Sequence, residues 1–485
     1  MNSSQLWALT PLLLATATVV AVMLTIAVKR HHRLCALVAV IGTNLALFSV
    51  LPAVFGGNTE AIAVTGLMQI DSAARFGMAL VLATTLGVLT LCHAYFEGFK
   101  KNREEIYLLI SLGTLGALTL ACASHASTLL LGVELLSLPM VAGVAYAFDD
   151  RRSIEGGLKY LILSGGASAA LLFGIALVYA QIGSLDIGAM ANAIVGASAD
   201  QPLVLAGTAM MLSGLAFKLS LVPFHQWTPD VYEAAPTPVT AYMATVSKLG
   251  VFIVMLRLFH ADSGAAASPF ILSAVVVIAV ASMLVGSVLA LRQNNLKRLL
   301  AYSSIAHFGY LAIVLVVPGE ASLRSAGVYL ATYLVTSLGV FGVMALVSSP
   351  MSDRDQEDIA DYRGLFWRRP YLTSILTAML LSLAGIPLTA GFIGKFAVIA
   401  VGTNSAQWLL VGSLIVSSAI SIYYYLRVLS GLFSAVDKGS ERVSESLGWA
   451  QSAGGIMLLL AMIAMLWMGV YPQPLFELSG QLALH

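Results

Sequence analysis

The stretch YLTSILTAMLLSLAGIPLTAGFIGKFAVIAV, residues 371–401, decides the fold that this sequence predicts. It exceeds one bilayer crossing, which takes about 20 apolar residues in a helix. Gly385 and Pro387 interrupt it near its middle. Proline removes a backbone donor and clashes with the preceding turn, and the carbonyls freed in this way must face protein or water. The stretch therefore predicts a discontinuous membrane helix, with Lys395 beyond its break.

A second interrupted segment, AFKLSLVPFHQWTPD at residues 216–230, places Pro223 five residues after Lys218. Paired interrupted segments in the two halves of a chain are typical of transporters built from inverted repeats, with sites on the discontinuous helices. We therefore expect two inverted five-helix repeats whose discontinuous helices are spans 7 and 12.

Composition extends the membrane assignment to the whole chain. Hydrophobic residues make up 59% of the 485 positions and charged residues only 10%, against about 25% charged in ordinary soluble domains. The predicted fold class is an all-α polytopic membrane protein with about fourteen transmembrane helices. The spans are expected near residues 6–27, 34–55, 73–96, 106–123, 126–147, 158–182, 203–222, 237–260, 270–291, 299–317, 325–348, 371–401, 407–433 and 452–471.

These spans divide the chain into four regions. The predicted regions are helices 1–3 (residues 1–105), a first repeat of helices 4–8 (106–260), a second repeat of helices 9–13 (261–433) and a C-terminal helix 14 (434–485).

Lysine and arginine collect in alternate loops, as the positive-inside rule expects of the cytoplasmic side. The opposite loops near 56–72, 184–201 and 402–406 and the tail 472–485 contain neither residue. Both termini are therefore expected on the side away from the cytoplasm. The basic loops contain Lys29, Arg30, Arg33, Lys100, Lys101, Arg103, Arg151, Arg152, Arg292, Lys297, Arg298, Arg354, Arg363, Arg368, Arg369, Lys438 and Arg442.

Charge and cysteine usage exclude two classes of function. The net charge is +1, and no face is basic enough to indicate binding of nucleic acid. Cys35, Cys92 and Cys122 all fall in or beside apolar spans. Their spacing matches no metal or iron–sulfur site, so small buried packing residues are the simplest interpretation.

Four ionisable side chains lie inside predicted spans, and they are the main functional signal: Glu134, Lys218, Lys248 and Lys395. A charge near the middle of a membrane helix is costly, so such residues usually mark an ion or proton route. Burial disfavours the charged form of a lysine and a nearby carboxylate favours it. Movement of Glu134 relative to Lys218 would therefore control the proton on that lysine, and Lys248 and Lys395 would act as later proton acceptors.

A static buried ion network is the alternative for these four residues. Three lysines cannot all be neutralised by pairing with one acid. At least one lysine should therefore be neutral for part of the time, which favours proton transfer.

Three further residues are candidates for the same route. His225 and His307 have the intrinsic pKa of a proton relay, and Lys159 lies near the cytoplasmic start of its span, where it would modulate Lys218. Each also has a structural interpretation. Lys159 would extend to the membrane interface, His307 would be a hydrogen-bonded packing residue, and His225 would bind carbonyls freed at the helix break.

Four motifs resemble the antiporter-like membrane subunits of proton-pumping NADH:quinone oxidoreductase (respiratory complex I) and of the related multi-subunit sodium/proton antiporters. The longest is FKLSLVPFHQWTPDVYEAAPTPVTAYMATVSK at 217–248. The others are GVELLSLPMVAGVAYA at 132–147, LRQNNLKRLLAYSSIAHFGYL at 291–311 and DYRGLFWRRP at 361–370. The resemblance covers essentially the whole chain, and among the antiporter-like subunits it is greatest for subunit N of proteobacterial enzymes. A sister subunit adds a long lateral amphipathic helix, whereas this sequence stops about fourteen residues after its last predicted span.

The resemblance implies roles for the site residues. In this family the acid of span five and the lysine of span seven form a paired switch, and these positions match Glu134 and Lys218. The lysine of span eight matches Lys248, and the lysine or glutamate of span twelve matches Lys395. Lys159 and His307 also match family positions.

The resemblance further implies a subunit of a bacterial inner-membrane enzyme, with both termini periplasmic. It implies that protons are pumped with energy from electron transfer in other subunits. This chain would carry no cofactor, and FMN, iron–sulfur clusters and quinone would belong to partner subunits. The expected partners are a neighbouring antiporter-like subunit, small membrane subunits, the lipid bilayer and protons, with no nucleic acid. The alternatives are a subunit of a multi-subunit Na⁺/H⁺ antiporter and, with less support, a structural scaffold.

Overall fold

A computed structural model describes residues 2–57, 60–99, 102–198, 200–260, 268–349, 355–435 and 449–482, with only the backbone described for 449–451. Several residues used in the sequence analysis lie outside these ranges. They are Lys100, Lys101, Arg354, Lys438 and Arg442, together with residue 261, where the second repeat begins.

The described residues form helices connected by short loops. The helices are α1 (Ser3–Val28), α2 (His32–Phe55), α3 (Ser72–Phe96), α4 (Glu105–Ala121), α5 (Ala126–Val144), α6 (Arg151–Ile182), α7 (Ile187–Val195), α8 (Pro202–Leu219), α9 (Trp227–Ala234), α10 (Thr237–Ala244), α11 (Val246–Phe259), α12 (Pro269–Leu291), α13 (Leu296–Val316), α14 (Glu320–Val347), α15 (Leu365–Arg368), α16 (Pro370–Ala384), α17 (Ala390–Asn404), α18 (Trp408–Leu432), α19 (Trp449–Val470) and α20 (Gln473–Gly480). A 3-10 turn, Ile359–Tyr362, precedes α15.

The predicted number of about fourteen spans is confirmed. Within the described ranges, twelve apolar helical segments are long enough to cross a membrane, and α10 and α11 together count as one of them. The shorter apolar helix α4 and the pair α16–α17 supply the other two crossings. The all-α polytopic fold class is therefore confirmed.

Two span boundaries differ most from the sequence expectation. Span six begins at Arg151 rather than near 158, because Asp150 caps the helix by accepting a hydrogen bond from the Arg152 amide. Span eleven begins at Glu320 rather than near 325. In both helices the first turns contain a charged residue, so a window of high hydropathy does not detect them.

A small hairpin was not predicted. Strands β1 (Ile62–Val64) and β2 (Met68–Ile70) pair antiparallel, with Ile62 opposite Ile70. They occupy the loop between α2 and α3, and this hairpin is the one sheet found among the described residues. It leaves the helical membrane fold unchanged.

The two predicted helix breaks are confirmed, and they share one geometry. The helix α8 ends at Ser220 (φ 64°) and α16 ends at Gly385 (φ 84°), both left-handed. In each case the backbone amide of the left-handed residue and the next amide donate hydrogen bonds to carbonyls of the last helical turn. This is the usual way to terminate a helix with satisfied carbonyls. Pro223 and Pro387 follow these ends and prevent the helices from continuing.

A third break was missed by the sequence analysis. The eighth span is divided at Thr245 (φ −115°, ψ −85°) into α10 and α11. No proline or glycine marks this position. The Thr245 hydroxyl donates to the Ala241 carbonyl at 2.6 Å, so a side chain satisfies a backbone acceptor at the break.

The centre of the molecule is formed by spans eight, ten and eleven, of which the first two carry the candidate residues Lys248 and His307. In the apolar 18-residue segments of α10–α11, α13 and α14, 94–100% of the residues are buried, whereas the share is 28% in α1, α6 and α19. The outer helices therefore shield the inner ones from lipid, and polar groups on α11 and α13 face protein.

Two buried ion pairs, at opposite ends of the helices, connect the inner helices α11 and α13 to neighbouring segments. Arg257 on α11 makes a bidentate pair with Asp71, the residue that caps α3, with both distances 2.8 Å. At the other end, Lys297 at the start of α13 lies 2.5 Å from Asp355 in the segment after α14. The Asp355 carboxylate also accepts hydrogen bonds from Tyr95 and Thr237.

Asp355 has an environment that favours its charged form. Burial by itself would raise the pKa of this carboxyl group, but the charge of Lys297 and the hydrogen bonds from Lys297, Thr237 and Tyr95 hold the pKa below its ordinary value. The charged Asp355 carboxylate therefore stabilises the folded state fully above about pH 4, the pKa of an unfolded-state aspartate. It is lost as the pH falls through the lower folded-state pKa.

We predict that Asp355→Ala lowers the free energy of unfolding by about 3–5 kcal/mol, because it leaves the Lys297 ammonium buried without a counter-charge. The double variant Asp355→Ala/Lys297→Met should regain most of this loss, since it removes both charges. The midpoint of thermal unfolding of the detergent-solubilised assembly measures both effects. An equal loss in the single and double variants would contradict the prediction.

Candidate functional site

Lys218 lies in the last turn of α8, two residues before the left-handed Ser220, and is 5% exposed. Its ammonium donates to the hydroxyls of Ser137 on α5 and Ser164 on α6, each at 2.6 Å. Two hydroxyls, each able both to accept and to donate a proton, therefore hold this amine inside the membrane domain.

Glu134 lies beside this group but does not form an ion pair with Lys218 in the structure. It is half-buried and lies one turn before Ser137 on α5. The neighbouring Leu131 and Leu138 are 60% and 56% exposed, so this part of α5 faces outward from the chain. In this structure Lys218 contacts Ser137, and the switch between Glu134 and Lys218 stays a prediction.

Lys248 lies on α11, three residues after the break at Thr245, and its side chain is fully buried. Its Nζ donates to the Ser304 hydroxyl at 2.7 Å. The same nitrogen lies over the rings of Phe308 and Tyr232, at 5.0 and 5.8 Å from their centroids. Cation–π contacts of this kind stabilise a buried ammonium partly, without neutralising it.

Polar side chains continue from Lys248 along α13 and α14. The Tyr333 hydroxyl donates to Ser304 at 2.8 Å, and the Tyr333 ring lies 5.3 Å from the ring of His307. His307 Nδ1 is 2.6 Å from the Tyr329 hydroxyl. Ser304 and His307 are one turn apart on α13, so they lie on the same face of that helix.

Lys395 lies at the other end of this series of polar side chains. It lies on α17, is 5% exposed, and donates to the Ala384 carbonyl at 2.9 Å and to the Ser418 hydroxyl at 3.0 Å. Its Nζ is 5.6 Å from the centroid of Tyr310, and the Tyr310 ring lies 5.4 Å from that of His307. The imidazole of His307 therefore lies in the polar series between Lys248 and Lys395.

His225 and Lys159 occupy different surroundings. His225 lies in the break between α8 and α9, with a buried Nδ1 that has no hydrogen-bond partner among the described residues. Lys159 has a side chain that is 44% exposed and forms ion pairs with Glu155 at 2.8 Å and Asp230 at 3.1 Å. Its position fits the interfacial interpretation, and its influence on Lys218 stays a prediction.

Hydroxyl partners are the residues that the sequence analysis missed. Ser137, Ser164, Ser304, Tyr333 and Ser418 contact the lysines or extend their contacts. Two signals were present in the sequence: Ser137 follows Glu134 by three residues, and Ser304 precedes His307 by three. The others come from helices distant in sequence, so spacing alone could not identify them.

The chemistry available here is proton transfer. Amines, an imidazole and hydroxyls can all accept and donate protons. Across the ranges that the structure describes, no three His, Cys, Asp or Glu side chains are grouped to hold a metal ion.

Comparison with known proteins identifies the family. A family model described as NADH:quinone oxidoreductase/Mrp antiporter, TM, matches residues 123–421. The chain belongs to this family of membrane subunits. Among its relatives is NADH-quinone oxidoreductase subunit N of Ectopseudomonas mendocina (strain ymp), which is 52% identical, with 100% of this chain and 97% of the relative covered. The protein of the same name from Chromohalobacter salexigens is 48% identical, with 98% of each chain covered.

Solved structures agree with this assignment. A chain of respiratory complex I from Thermus thermophilus with bound aureothin is 32% identical and superposes with a TM-score of 0.81, covering 97% of this chain and 99% of the other. A chain of the Mrp complex from Dietzia sp. DQ12-45-1b has a TM-score of 0.84 at 19% identity, covering 98% of this chain and 96% of the other. The second similarity shows a shared fold.

Gly385 provides a test of how the broken helix holds Lys395. A Cβ atom at this position would lie 2.9 Å from Lys395 Cδ and 3.1 Å from its Nζ, and the φ of 84° disfavours any side chain. We predict that Gly385→Ala displaces the lysine from the Ala384 carbonyl and destabilises the break by about 1–2 kcal/mol. Thermal unfolding and proton-pumping activity of the assembled complex measure these effects.

Gly412→Ala on α18 is the matched control, since a Cβ atom there meets nothing within 4 Å. Equal unfolding midpoints and activities for the two variants would contradict the prediction.

Proposed function

We propose that this chain is the proton-translocating membrane-arm subunit N of a bacterial NADH:quinone oxidoreductase. In this proposal, electron transfer in other subunits drives protons through a central chain of buried Lys, Glu and His side chains and water. One observation carries the proposal: Lys218, Lys248 and Lys395 are all nearly or fully buried in a membrane domain and are held by neutral partners. The names of the relatives with 48–52% identity supply the identity of the complex.

The contacts of the lysines favour a proton-transfer route over a static network of buried ion pairs. No carboxylate among the described residues lies within 4 Å of any of the three amines. A permanently charged amine in such surroundings would be costly. Hydroxyl partners, in contrast, can hydrogen-bond to both forms, because a hydroxyl accepts from an ammonium and can also donate to a neutral amine. Each lysine can therefore gain and lose a proton without leaving its site.

Along the series from Lys248 to Lys395, we expect protons to move from Lys248 toward Lys395. Ser304 and Tyr333 would receive a proton from Lys248, and His307 would pass it toward Tyr310 and Lys395, with water filling the remaining gaps. An imidazole suits this central position because one ring nitrogen accepts a proton while the other donates one.

Glu134 would be the element that responds to a neighbouring subunit. Its half-buried position on the outward face of α5 requires a covering partner, because a carboxylate at membrane depth is not left to lipid. A shift of this carboxylate toward or away from Lys218, which binds Ser137 one helical turn after Glu134, would change the charge state of that lysine. Lys159 and His225 would act at the edges of the route, at the Asp230 ion pair and at the helix break respectively.

The remaining parts of the assembly follow from this identity. FMN, iron–sulfur clusters and quinone would belong to partner subunits, and this chain would hold no redox group. The protein would lie in the bacterial inner membrane, with both termini periplasmic according to the basic loops. Its partners would be a neighbouring antiporter-like subunit and small membrane subunits.

A subunit of a multi-subunit Na⁺/H⁺ antiporter is the second candidate, and it would use the same lysines. The difference in identity, 52% to a subunit N against 19% to a chain of an Mrp complex, favours the first candidate.

Purification of the assembly followed by substitution tests the proposal. We expect NADH-oxidising, flavin-containing subunits to co-purify with this chain. In that assembly, Lys218→Ala, Lys248→Ala and Glu134→Ala should each lower proton pumping and coupled quinone reduction, since loss of a proton-transfer group costs roughly 10²-fold or more. The complex should remain assembled.

Lys29→Ala is the control, because Lys29 is an exposed residue at the end of α1. A purely membranous assembly without flavin would indicate the antiporter. Normal pumping in all three site variants would refute the proposed route.

A further inference from the structure

A second group of buried polar residues lies outside the lysine series, along α4. Tyr107, Ser111 and Thr114 follow one another at intervals of four and three residues, so they share one face of the helix. All three are 5% exposed or less. From Tyr107 to Thr114 this polar face extends about 10 Å along the helix axis.

One end of this face meets a pair of histidines. His32 at the start of α2 and His93 at the end of α3 have ring centroids 4.8 Å apart. His32 Nε2 lies 3.1 Å from the His93 carbonyl and 3.4 Å from the Tyr107 hydroxyl. Since a carbonyl only accepts hydrogen bonds, Nε2 donates in this contact. These residues lie at the membrane side that carries the basic loops after spans one and three.

The other end of the face reaches the break in the eighth span. The Thr114 hydroxyl lies 3.1 Å from the Thr85 hydroxyl and 3.4 Å from that of Tyr242 on α10. Gly113 permits this approach, since a Cβ atom there would lie 3.0 Å from the Tyr242 hydroxyl.

The lysine series reaches the same break from its other side. Two residues after Tyr242, the Ala244 carbonyl accepts a hydrogen bond from Tyr333 at 3.3 Å. The same Tyr333 hydroxyl binds Ser304, the partner of Lys248. Polar groups therefore approach the backbone around Thr245 from two sides, from α4 and from the lysine series.

Two buried polar atoms along this path have no hydrogen-bond partner among the described residues: His32 Nδ1 and the Ser111 hydroxyl. Both residues are 5% exposed. Buried polar atoms in proteins are almost always hydrogen-bonded, to ordered water where no protein group is available. These two atoms therefore mark positions where water would complete the path.

We propose that the His32–Tyr107–Ser111–Thr114–Tyr242 series is a hydrated proton-conducting branch that connects the basic side of the membrane domain to Lys248. This inference rests on the proposed function. A proton enters on one nitrogen of an imidazole while the other nitrogen releases one. Each hydroxyl or water then accepts one proton and releases its own, and the neutral amine of Lys248 becomes an ammonium. Afterwards each hydroxyl and water turns back and the imidazole returns to its first tautomer, so that the next proton can follow.

Hydroxyl deletions in the intact complex, reconstituted in liposomes, test the branch. We expect Thr114→Val and Ser111→Ala to lower NADH-driven turnover and pumping, because each lost relay group slows its transfer step by roughly 10²-fold. Proton transfer then limits turnover, so the ratio of rates in H₂O and D₂O should rise above the parent value. Ser111→Ala removes one unpartnered oxygen and disturbs packing least, so it decides the test if Thr114→Val fails to assemble.

Thr119→Val is the matched control. Thr119 lies on the same helix, is 4% exposed, and donates to the carbonyl four residues earlier, as Thr114 does. The branch is refuted if the two site variants match Thr119→Val both in turnover and in the ratio of rates in H₂O and D₂O. It is also refuted if they lose turnover while this ratio of rates stays at the parent value. Loss of pumping in Lys248→Ala together with parental behaviour of the α4 variants would refute the branch alone and leave the proposed function standing.

Discussion

The structure depends on a single constraint, which is that an amine buried in a membrane domain must find polar partners inside the protein. Helix breaks and inward-facing hydroxyls supply these partners. Lys218 lies two residues before a left-handed break, Lys248 three residues after the break at Thr245, and Lys395 donates to a carbonyl that the end of α16 leaves free. In a continuous helix that carbonyl would be occupied by an amide. The break in span twelve therefore supplies a backbone partner for Lys395, whereas hydroxyls hold Lys218 and Lys248.

The two discontinuous spans use the same termination in different ways. In span seven the lysine belongs to the first half-helix and is held by hydroxyls from α5 and α6. In span twelve the lysine belongs to the second half-helix and binds back to the first. Gly385 makes the second arrangement possible, since it combines a left-handed φ with space for the lysine stem. The two halves of the fold thus share a break but place the amine on opposite sides of it.

Much of the fold could be predicted from the sequence because its signals are strong and local. The number of spans follows from the number of apolar stretches that are long enough to cross a bilayer. The breaks at 220 and 385 follow from the nearby Pro223, Gly385 and Pro387. The break at Thr245 could not be predicted, since a threonine hydroxyl bound to a nearby carbonyl leaves no distinctive pattern. The buried lysines were evident, but their partners were not. Ser164 and Ser418 reach the amines through tertiary packing, and serine inside an apolar helix is common enough to carry no signal alone.

The central claim is that these amines change protonation state while they remain buried. Nitrogen-15 spectroscopy of lysine-labelled complex in membranes, with signals assigned by Lys218→Arg, Lys248→Arg and Lys395→Arg variants, tests it most directly. Our account predicts a neutral amine signal from at least one of the three residues, with an intensity that changes between resting and NADH-driven conditions. Three signals that remain those of ammonium groups under both conditions, and that do not exchange with solvent deuterium, would contradict it.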